Sequence, residues 1–316
     1  MRAAAFLLCA VLAGCAGTVR IAELNPPAPA VELDSTPFFP QQVNECGPAA
    51  LATALGASGV GVTPDELAPL LYLPGRQGSL QAEMVAVARR HARVPYPVAP
   101  RLEELLATVA GGTPVLVLQN LRASFWPAWH YAVVVGYDSA ANTLILRSGT
   151  ERRKVMSVRA FERSWQLAQR WSLAVAPPES PPANAGMVEW LRASSAFEEL
   201  RQPQLAAKAY AAATRRWPAE VLPWQVLANL RHDQGDLAGA EQALRTAFRL
   251  KPSATTLNNL AVVLLERGCP VRARTALDRA ATLNPSEAER EALRGTRAQV
   301  DAFRGPASKA CRELAT

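Results

Sequence analysis

The second half of the chain repeats one pattern of small and large apolar residues. Units that start at Met187, Val221 and Ala254 match one another with a period of about 34 residues. A period of this length is typical of helical hairpins stacked in a row, because each hairpin buries its apolar face only against its neighbours. Three such units are about the minimum for a stable stack. Residues 187–287 are therefore predicted to form an all-α solenoid.

Alanine and proline occupy fixed places in these units. Small alanines allow two helices to approach closely, and proline ends the second helix. The residues at these places are Ala206, Ala213, Pro218, Ala240, Ala247, Pro252, Ala273, Ala280 and Pro285. The pattern resembles tetratricopeptide repeats, and the resemblance implies a concave groove that binds a peptide or a partner protein and carries out no chemistry. Residues 288–316 are expected to form a charged capping helix over 288–303 and a tail.

Proline-rich stretches bound the region between the repeats and the N-terminus. Residues 177–186 contain PPESPPANA and are predicted to be a linker. Residues 15–35 contain AELNPPAPAVELD, which has no helix or strand periodicity, and they are predicted to be an extended tether. These boundaries leave residues 36–176 as a separate domain of ordinary size.

The first residues of the chain have the composition of a secretory leader. Arg2 is followed by a short apolar run that ends LAGC at residues 12–15, and the run is too short to span a bilayer as a stable helix. This ending resembles the bacterial lipobox. The resemblance implies removal of residues 1–14, acylation of Cys15 and anchoring to a membrane. Because Ala16 is not the aspartate associated with inner-membrane retention, we expect a lipid-anchored protein of the bacterial cell envelope, held at the outer membrane and facing the periplasm.

One cysteine of residues 36–176 lies at a predicted helix start. The segment PFFP at 37–40 is predicted to be extended, and from Cys46 onward apolar residues fall at helical spacing. Pro48 suits the first turn of a helix. Free N–H groups at a helix N-terminus lower the pKa of a thiol and stabilise its thiolate. Cys46 is therefore predicted to be a nucleophile with a lowered pKa, and a buried structural cysteine is the alternative.

Only one of the three histidines has a setting that suits a catalytic base. His91 lies in a basic helical stretch and His232 lies in the repeats. His130, in contrast, begins an apolar and β-branched run that predicts a strand ending near Tyr137. A second strand is predicted over 143–146, so that the two form a hairpin. His130 is expected to face a cleft at the start of this hairpin.

Five blocks in this region occur in an order similar to that of the bacteriocin-processing (double-glycine-leader) cysteine peptidases, a papain-like family. They are Gln41, the CGPAAL block from Cys46, Gly78-Ser79-Leu80, the strand at 114–118 and the His130 strand. The resemblance implies an α+β papain-like peptidase domain that hydrolyses a peptide or protein substrate through a thioester. It also implies that Cys46 is the nucleophile, that His130 is its base, and that Gln41 and the backbone N–H of Cys46 are the donors to the oxyanion. Gln42 takes the place of Gln41 if the loop is shifted by one residue.

The chain departs from that family where a third catalytic residue is expected. The family carries an acid in an Asp-Pro pair on the strand after the histidine, whereas residues 146–150 here read LRSGT. Ser148 is the nearest positional match and is predicted to orient His130. Asn120 is a weaker alternative, and Asp138 lies in the hairpin turn and is expected to point away. The missing carboxylate favours a slower enzyme, or an inactive peptidase-like scaffold that binds partner proteins.

Composition excludes several other classes of protein. The net charge of +7 comes from scattered arginines without a dense Lys/Arg run, so no nucleic-acid partner is expected. No CxxC pair is present and histidine is rare, so no metal and no cofactor are expected. Cys269 and Cys311 are expected to be two separate thiols, although they can pair if the C-terminus folds back. Transglutaminase-like or amide-hydrolysing chemistry on the cell wall uses the same cysteine–histidine pair and is a third alternative.

Overall fold

The N-terminal domain is built on one antiparallel sheet. A computed structural model describes residues 19–41, 46–71, 79–306, 308 and 311. The strands are β1 (Ala30–Glu32), β2 (Val94–Pro97), β3 (Val115–Asn120), β4 (Trp129–Asp138), β5 (Thr143–Ser148), β6 (Glu151–Ser157) and β7 (Ser172–Ala176). They lie in the order β2-β7-β3-β4-β5-β6, and β1 pairs with the C-terminal part of β4.

Helices cover both faces of this sheet. One face carries α1 (Cys46–Ala57), α2 (Pro64–Leu71) and α3 (Gln81–Arg90), and the other carries α4 (Leu102–Ala110) and α5 (Val158–Gln166). Side chains alternate along β4 accordingly, because Tyr131 and Val133 pack in the first layer whereas Ala132 and Val134 pack in the second. Helix α1 is apolar on all sides and is buried from Gly47 to Leu55. This helix is therefore a core element of the domain.

The segment before residue 36 is part of the domain, and the prediction of an extended tether over 15–35 is wrong for residues 19–35. Ile21 is fully buried in a short 3-10 helix, Ile21–Leu24. The Asn142 side chain accepts a hydrogen bond from Ile21 N at 2.9 Å and donates one to Val19 O at 3.2 Å. Strand β1 lies so close to β4 that a Cβ at Gly136 would be 3.0 Å from the Cα of Glu32. Strand pairing and side-chain caps give this proline-rich stretch a fixed path.

The C-terminal half consists of paired helices. The pairs are α6 (Met187–Glu199) with α7 (Pro203–Arg216), α8 (Val221–Asp233) with α9 (Leu237–Leu250), and α10 (Ala254–Glu266) with α11 (Pro270–Ala281). Each pair begins at the residue where a repeat unit is predicted to start. Helix α12 (Glu287–Ala302) closes the stack and begins with a capping box formed by Ser286 and Glu289. An α+β domain followed by an all-α repeat region confirms the predicted fold class.

The proline-rich linker predicted at 177–186 is packed against both halves of the chain. Asn184 Nδ2 donates to Glu104 O at 3.1 Å, and Gly186 N donates to Tyr96 Oη at 3.0 Å. The Tyr96 ring on β2 lies 6.4 Å from the Trp190 ring on α6. One buried apolar cluster runs from the sheet into the first repeat. Residues 177–186 therefore connect β7 to α6 as a packed segment, and a common core joins the first repeat to the sheet.

Cys269 and Cys311 form a disulfide, with 5.5 Å between their Cα atoms. The expectation of two separate thiols is wrong. The C-terminal tail folds back so that Ser308 N donates to Gly268 O at 3.0 Å, and this brings the second cysteine to the turn between α10 and α11. The disulfide ties the tail to the last repeat.

Cys15, the leader at 1–14 and Gln42 lie outside the described residues. The predictions that rest on them stay predictions. Among the helices that the structure describes, none is both long and apolar enough to cross a membrane.

Candidate active site

Cys46 is the first residue of α1, as the sequence predicts, and its thiol is half-buried and free. The thiol packs beside the apolar layer that contains Tyr131 and Leu118. Burial raises the pKa of Cys46 above its ordinary value, although the backbone N–H groups of Tyr131 and Gly47 oppose the rise. The expected lowering of this pKa by the helix N-terminus is therefore not met, because desolvation of the thiolate outweighs the N–H groups.

Gly47 explains how another part of the chain reaches the start of α1. A Cβ at this position would lie 2.7 Å from the Cβ of Ser79, which precedes α3. Ser79 O accepts a hydrogen bond from Tyr131 Oη at 3.3 Å, and the Tyr131 ring meets Trp171 edge-on at 5.8 Å between centroids. Only glycine permits this close approach, so Gly47 is required for the packing of Ser79 against the start of α1.

His130 is the second residue of β4 and is half-buried at the end of the sheet. Its Nε2 lies 2.8 Å from the Oγ of Ser148, which is the last residue of β5 and is buried. Because Nε2 is engaged with Ser148, Nδ1 is the ring nitrogen left for other chemistry. Burial, helped by the positive charge of Lys154, lowers the pKa of His130 to about 4. The ring is therefore neutral at neutral pH.

The backbone of Tyr131 connects the two candidate residues. Tyr131 directly follows His130 on β4, and its N–H lies near enough to the Cys46 thiol to lower the pKa of that thiol. Within the described part of the chain, no hydrogen bond joins the thiol to the imidazole. The resting pair thus consists of a neutral thiol and a neutral ring at the same end of the sheet.

Gln41 lies across the ends of β4 and β5. Its Oε1 accepts a hydrogen bond from Gly149 N at 3.1 Å, and its backbone N donates to Gly149 O at 3.0 Å. Its Nε2 donates to Tyr131 O at 3.3 Å, which leaves the second N–H of the amide for a ligand. Gln41 therefore lies beside the residues that flank Ser148 and His130. Its role as the oxyanion donor stays a prediction.

The two alternatives to Ser148 have other partners. Asn120 Oδ1 accepts hydrogen bonds from Arg122 N and Ala128 N, and its Nδ2 donates to Ala123 O. Asp138 Oδ1 accepts from the backbone N–H groups that follow it in the β4–β5 turn. Of the three candidates, Ser148 is the one that hydrogen-bonds to His130.

Two residues near the site were missed by the sequence analysis. Tyr131 supplies a backbone N–H to the thiol and a side chain that fixes Ser79, and its position next to His130 was the available signal. Lys154 acts on His130 from β6, and only the pairing of β5 with β6 brings it near. In the described ranges, no group of three His, Cys, Asp or Glu side chains could hold a metal ion.

Comparisons with known proteins match two families along the chain. A family model described as the Peptidase_C39 like family matches residues 33–173, and a tetratricopeptide-repeat model matches residues 191–255 and 226–288. A solved structure from Bacillus anthracis that carries the description C39-like peptidase covers 46% of this chain and 97% of its own, with 17% identity and a TM-score of 0.40. A search of curated protein sequences gives no match. Residues 33–173 therefore form a C39-like peptidase domain, and tetratricopeptide repeats follow it.

Proposed function

We propose that this protein is a cysteine peptidase that hydrolyses peptide bonds through a thioester on Cys46, with repeats that bind a protein or peptide. The observation that carries the proposal is the 2.8 Å contact between His130 Nε2 and Ser148 Oγ. In the tautomer with the proton on Nε2, the ring donates to Ser148 and the lone pair lies on Nδ1, where it can accept the thiol proton. The start of α1 and the start of β4 lie together around Tyr131, so the two reactive groups share one end of the sheet.

The reaction follows from these positions. The Nδ1 of His130 takes the thiol proton as the sulfur of Cys46 attacks the carbonyl carbon of the scissile bond. The resulting oxyanion accepts hydrogen bonds from the Cys46 N–H and from the free N–H of Gln41 Nε2. His130 then gives its proton to the leaving amine, and the C–N bond breaks to leave a thioester. Water attacks the thioester while His130 accepts a proton from the water. The C–S bond then breaks, His130 returns the proton to the sulfur of Cys46, and the product leaves as a carboxylic acid that ionises in solution.

The resting pair has to change before this chemistry begins. Both pKa shifts favour the neutral thiol and the neutral ring. Catalytic hydrogen bonds are often long in the absence of substrate and tighten in the complex. Substrate that excludes water and brings Nδ1 to the sulfur would complete the pair. Ser148 accepts a hydrogen bond but carries no charge, so the imidazolium receives less stabilisation than a carboxylate gives.

Fluorogenic peptide-library hydrolysis tests this function. The wild-type chain is expected to cleave members of an internally quenched library, and the Cys46→Ala chain is expected to cleave none. Cys46→Ser is the matched variant, since it keeps a hydroxyl in place of the thiol and should be equally inactive. Equal hydrolysis by wild type and Cys46→Ala would reject the peptidase proposal.

A peptide-binding scaffold without turnover is the second candidate. The observation in its favour is Ser148 at the position where the family carries an acid. A scaffold would bind peptides with the same affinity in the wild-type and Cys46→Ala chains and would release no cleavage product from either.

We also propose that the chain is anchored in the bacterial cell envelope through lipid on Cys15, at the outer membrane and facing the periplasm. The leader composition supports this address, and the disulfide suits an oxidising compartment. Val19 is bound by Asn142 in the β4–β5 turn, at the end of β4 that lies about 26 Å from His130. Such an anchor would direct the candidate active site away from the lipid surface. Metabolic labelling with an alkyne-tagged fatty acid, lost in Cys15→Ser, tests the anchor.

A further inference from the structure

The hairpin between β3 and β4 exposes a cluster of large apolar side chains. Leu121 is 51% exposed, Phe125 90%, Trp126 66% and Trp129 55%, and we call these four residues the aromatic tip. Single exposed apolar residues are normal, but a cluster of three aromatic rings within five residues marks a binding surface. Within the described residues, the domain does not cover them itself.

A buried side chain holds the aromatic tip in a defined shape. Asn120 is buried and bonds through both side-chain atoms to the backbone at Arg122, Ala123 and Ala128. Leu121 N donates to Ala128 O at 2.9 Å, which continues the hairpin beyond the sheet. Because the loop is already ordered, a ligand that binds to it loses little affinity to ordering of the chain.

The aromatic tip is continuous with the candidate active site. Trp129 pairs with Asn120 and directly precedes His130, which pairs with Gln119. An extended peptide advances about 3.3 Å per residue. A substrate whose scissile bond lies between Cys46 and His130 therefore needs only a few residues to reach the aromatic tip.

Arg122 adds a charge to this surface. Its guanidinium lies 4.7 Å from the centroid of the Trp126 ring, in a cation–π contact. In the part of the chain that the structure describes, no carboxylate forms a salt bridge with Arg122, and its side chain is exposed. A stacked and unneutralised guanidinium next to aromatic rings suits a ligand that is apolar and carries a carboxylate.

We propose that the aromatic tip binds an apolar segment of the peptide substrate that also carries an acidic residue, a few positions from the scissile bond. This proposal rests on the peptidase function proposed above, because it takes Cys46 and His130 as the reacting centre. A lipid surface is the competing occupant. It is disfavoured because the lipid anchor proposed on Cys15 lies only four residues before Val19. Val19 itself lies at the end of β4 opposite the aromatic tip.

Binding to the inactive Cys46→Ala full chain tests the proposal without requiring turnover. Three fluorescein-labelled twelve-residue peptides serve as probes: one of Leu and Phe with two Glu, the same peptide with two Lys, and one of Ser and Gly with two Glu. Fluorescence anisotropy is expected to show that the apolar acidic peptide binds most tightly. Adding Phe125→Ser and Trp126→Ser should lower the affinity for that peptide about tenfold or more, since paired aromatic anchors dominate small interfaces. Adding Arg122→Gln should remove the difference between the Glu and Lys peptides.

The matched control is Val271→Ser, which removes an exposed apolar side chain from α11, far along the chain from the aromatic tip. It should leave all three affinities unchanged, and thermal unfolding should confirm that every variant is folded. Equal binding of the three peptides, or full binding after Phe125→Ser and Trp126→Ser, would overturn the proposal. A different result would reassign the aromatic tip to a lipid surface. In that case the chain with Phe125→Ser and Trp126→Ser would no longer sediment with phosphatidylethanolamine–phosphatidylglycerol vesicles but would still bind the peptides.

A separate result distinguishes this proposal from the peptidase function. If the Cys46→Ala chain binds the apolar acidic peptide through Phe125 and Trp126 but the wild-type chain cleaves no quenched version of it, the peptidase function fails and the binding surface stands. If the wild-type chain cleaves the library without preference for apolar acidic segments, the peptidase function stands and the proposed binding surface fails.

Discussion

Replacing Ser148 with aspartate would put a carboxylate where a hydroxyl now meets His130 Nε2 at 2.8 Å. A hydrogen bond between neutral groups contributes about 1 kcal/mol, and one to a charged group about 2–3 kcal/mol. The gain of roughly 1.4 kcal/mol in stabilising the imidazolium corresponds to about one unit in the pKa of His130 and about tenfold in rate. Ser148→Asp is therefore expected to raise the pKa of His130 above about 4 and to raise kcat/KM.

The assay compares Ser148→Asp with Ser148→Asn, which has nearly the same size without the charge. Hydrolysis of a quenched peptide gives kcat/KM, and an NMR titration of the His130 ring gives its pKa. Because Ser148 is buried, thermal unfolding of both variants has to be measured as well. If the aspartate variant is folded and yet no faster than the asparagine variant, Ser148 does not occupy the position of the missing acid and the account of His130 is refuted.

Three further predictions concern stability. Gly47→Ala should lower the free energy of unfolding by about 1–3 kcal/mol in a urea titration, because its Cβ would meet Ser79. The control Gly61→Ala places its Cβ in open space and should change this free energy little. Cys311→Ser should lower the free energy of unfolding of the repeats by up to about 4 kcal/mol, since the disulfide closes a loop with a sequence separation of 42, and reduced wild type should match the variant. The depressed pKa of His130 contributes stability that is fully present above pH 6.5 and is lost as the pH falls toward about 4, because the unfolded chain binds the proton first. Urea titrations should therefore show that the free energy of unfolding falls by about 3 kcal/mol less over this pH range in His130→Gln than in wild type. An equal pH dependence of the two chains would contradict the burial of the ring.

Local patterns were sufficient to predict the elements that carry the candidate site. Apolar spacing after Cys46 predicted the start of α1, and the β-branched run after His130 predicted β4. The match of Ser148 to the family's acid came from position along a predicted strand, and the hydrogen bond to His130 follows from the pairing of β4 with β5. These features depend on residues close in sequence or on one hairpin.

The features that sequence did not reveal depend on distant partners. The predicted direction of the Cys46 pKa shift was wrong because the thiol is buried by β3 and β4, which lie more than 60 residues away in the sequence. The prediction of an extended tether was wrong for residues 19–35 because Asn142 binds that segment, and the packing of the linker against Tyr96 and Glu104 was not predicted. Pro-rich composition indicates a lack of regular structure, but it does not indicate a lack of packing.

The alkylation rate of Cys46 tests the central claim most directly. Intact-mass spectrometry of the full chain treated with an E-64-type epoxide at pH 7 should show one adduct, which maps to Cys46 and is absent in Cys46→Ala. His130→Ala should slow the reaction by about a hundredfold, because the ring must accept the thiol proton, whereas Ser148→Ala should slow it by less than about tenfold. An equal rate in wild type and His130→Ala would mean that Cys46 reacts as an ordinary thiol, and it would contradict the proposed pair.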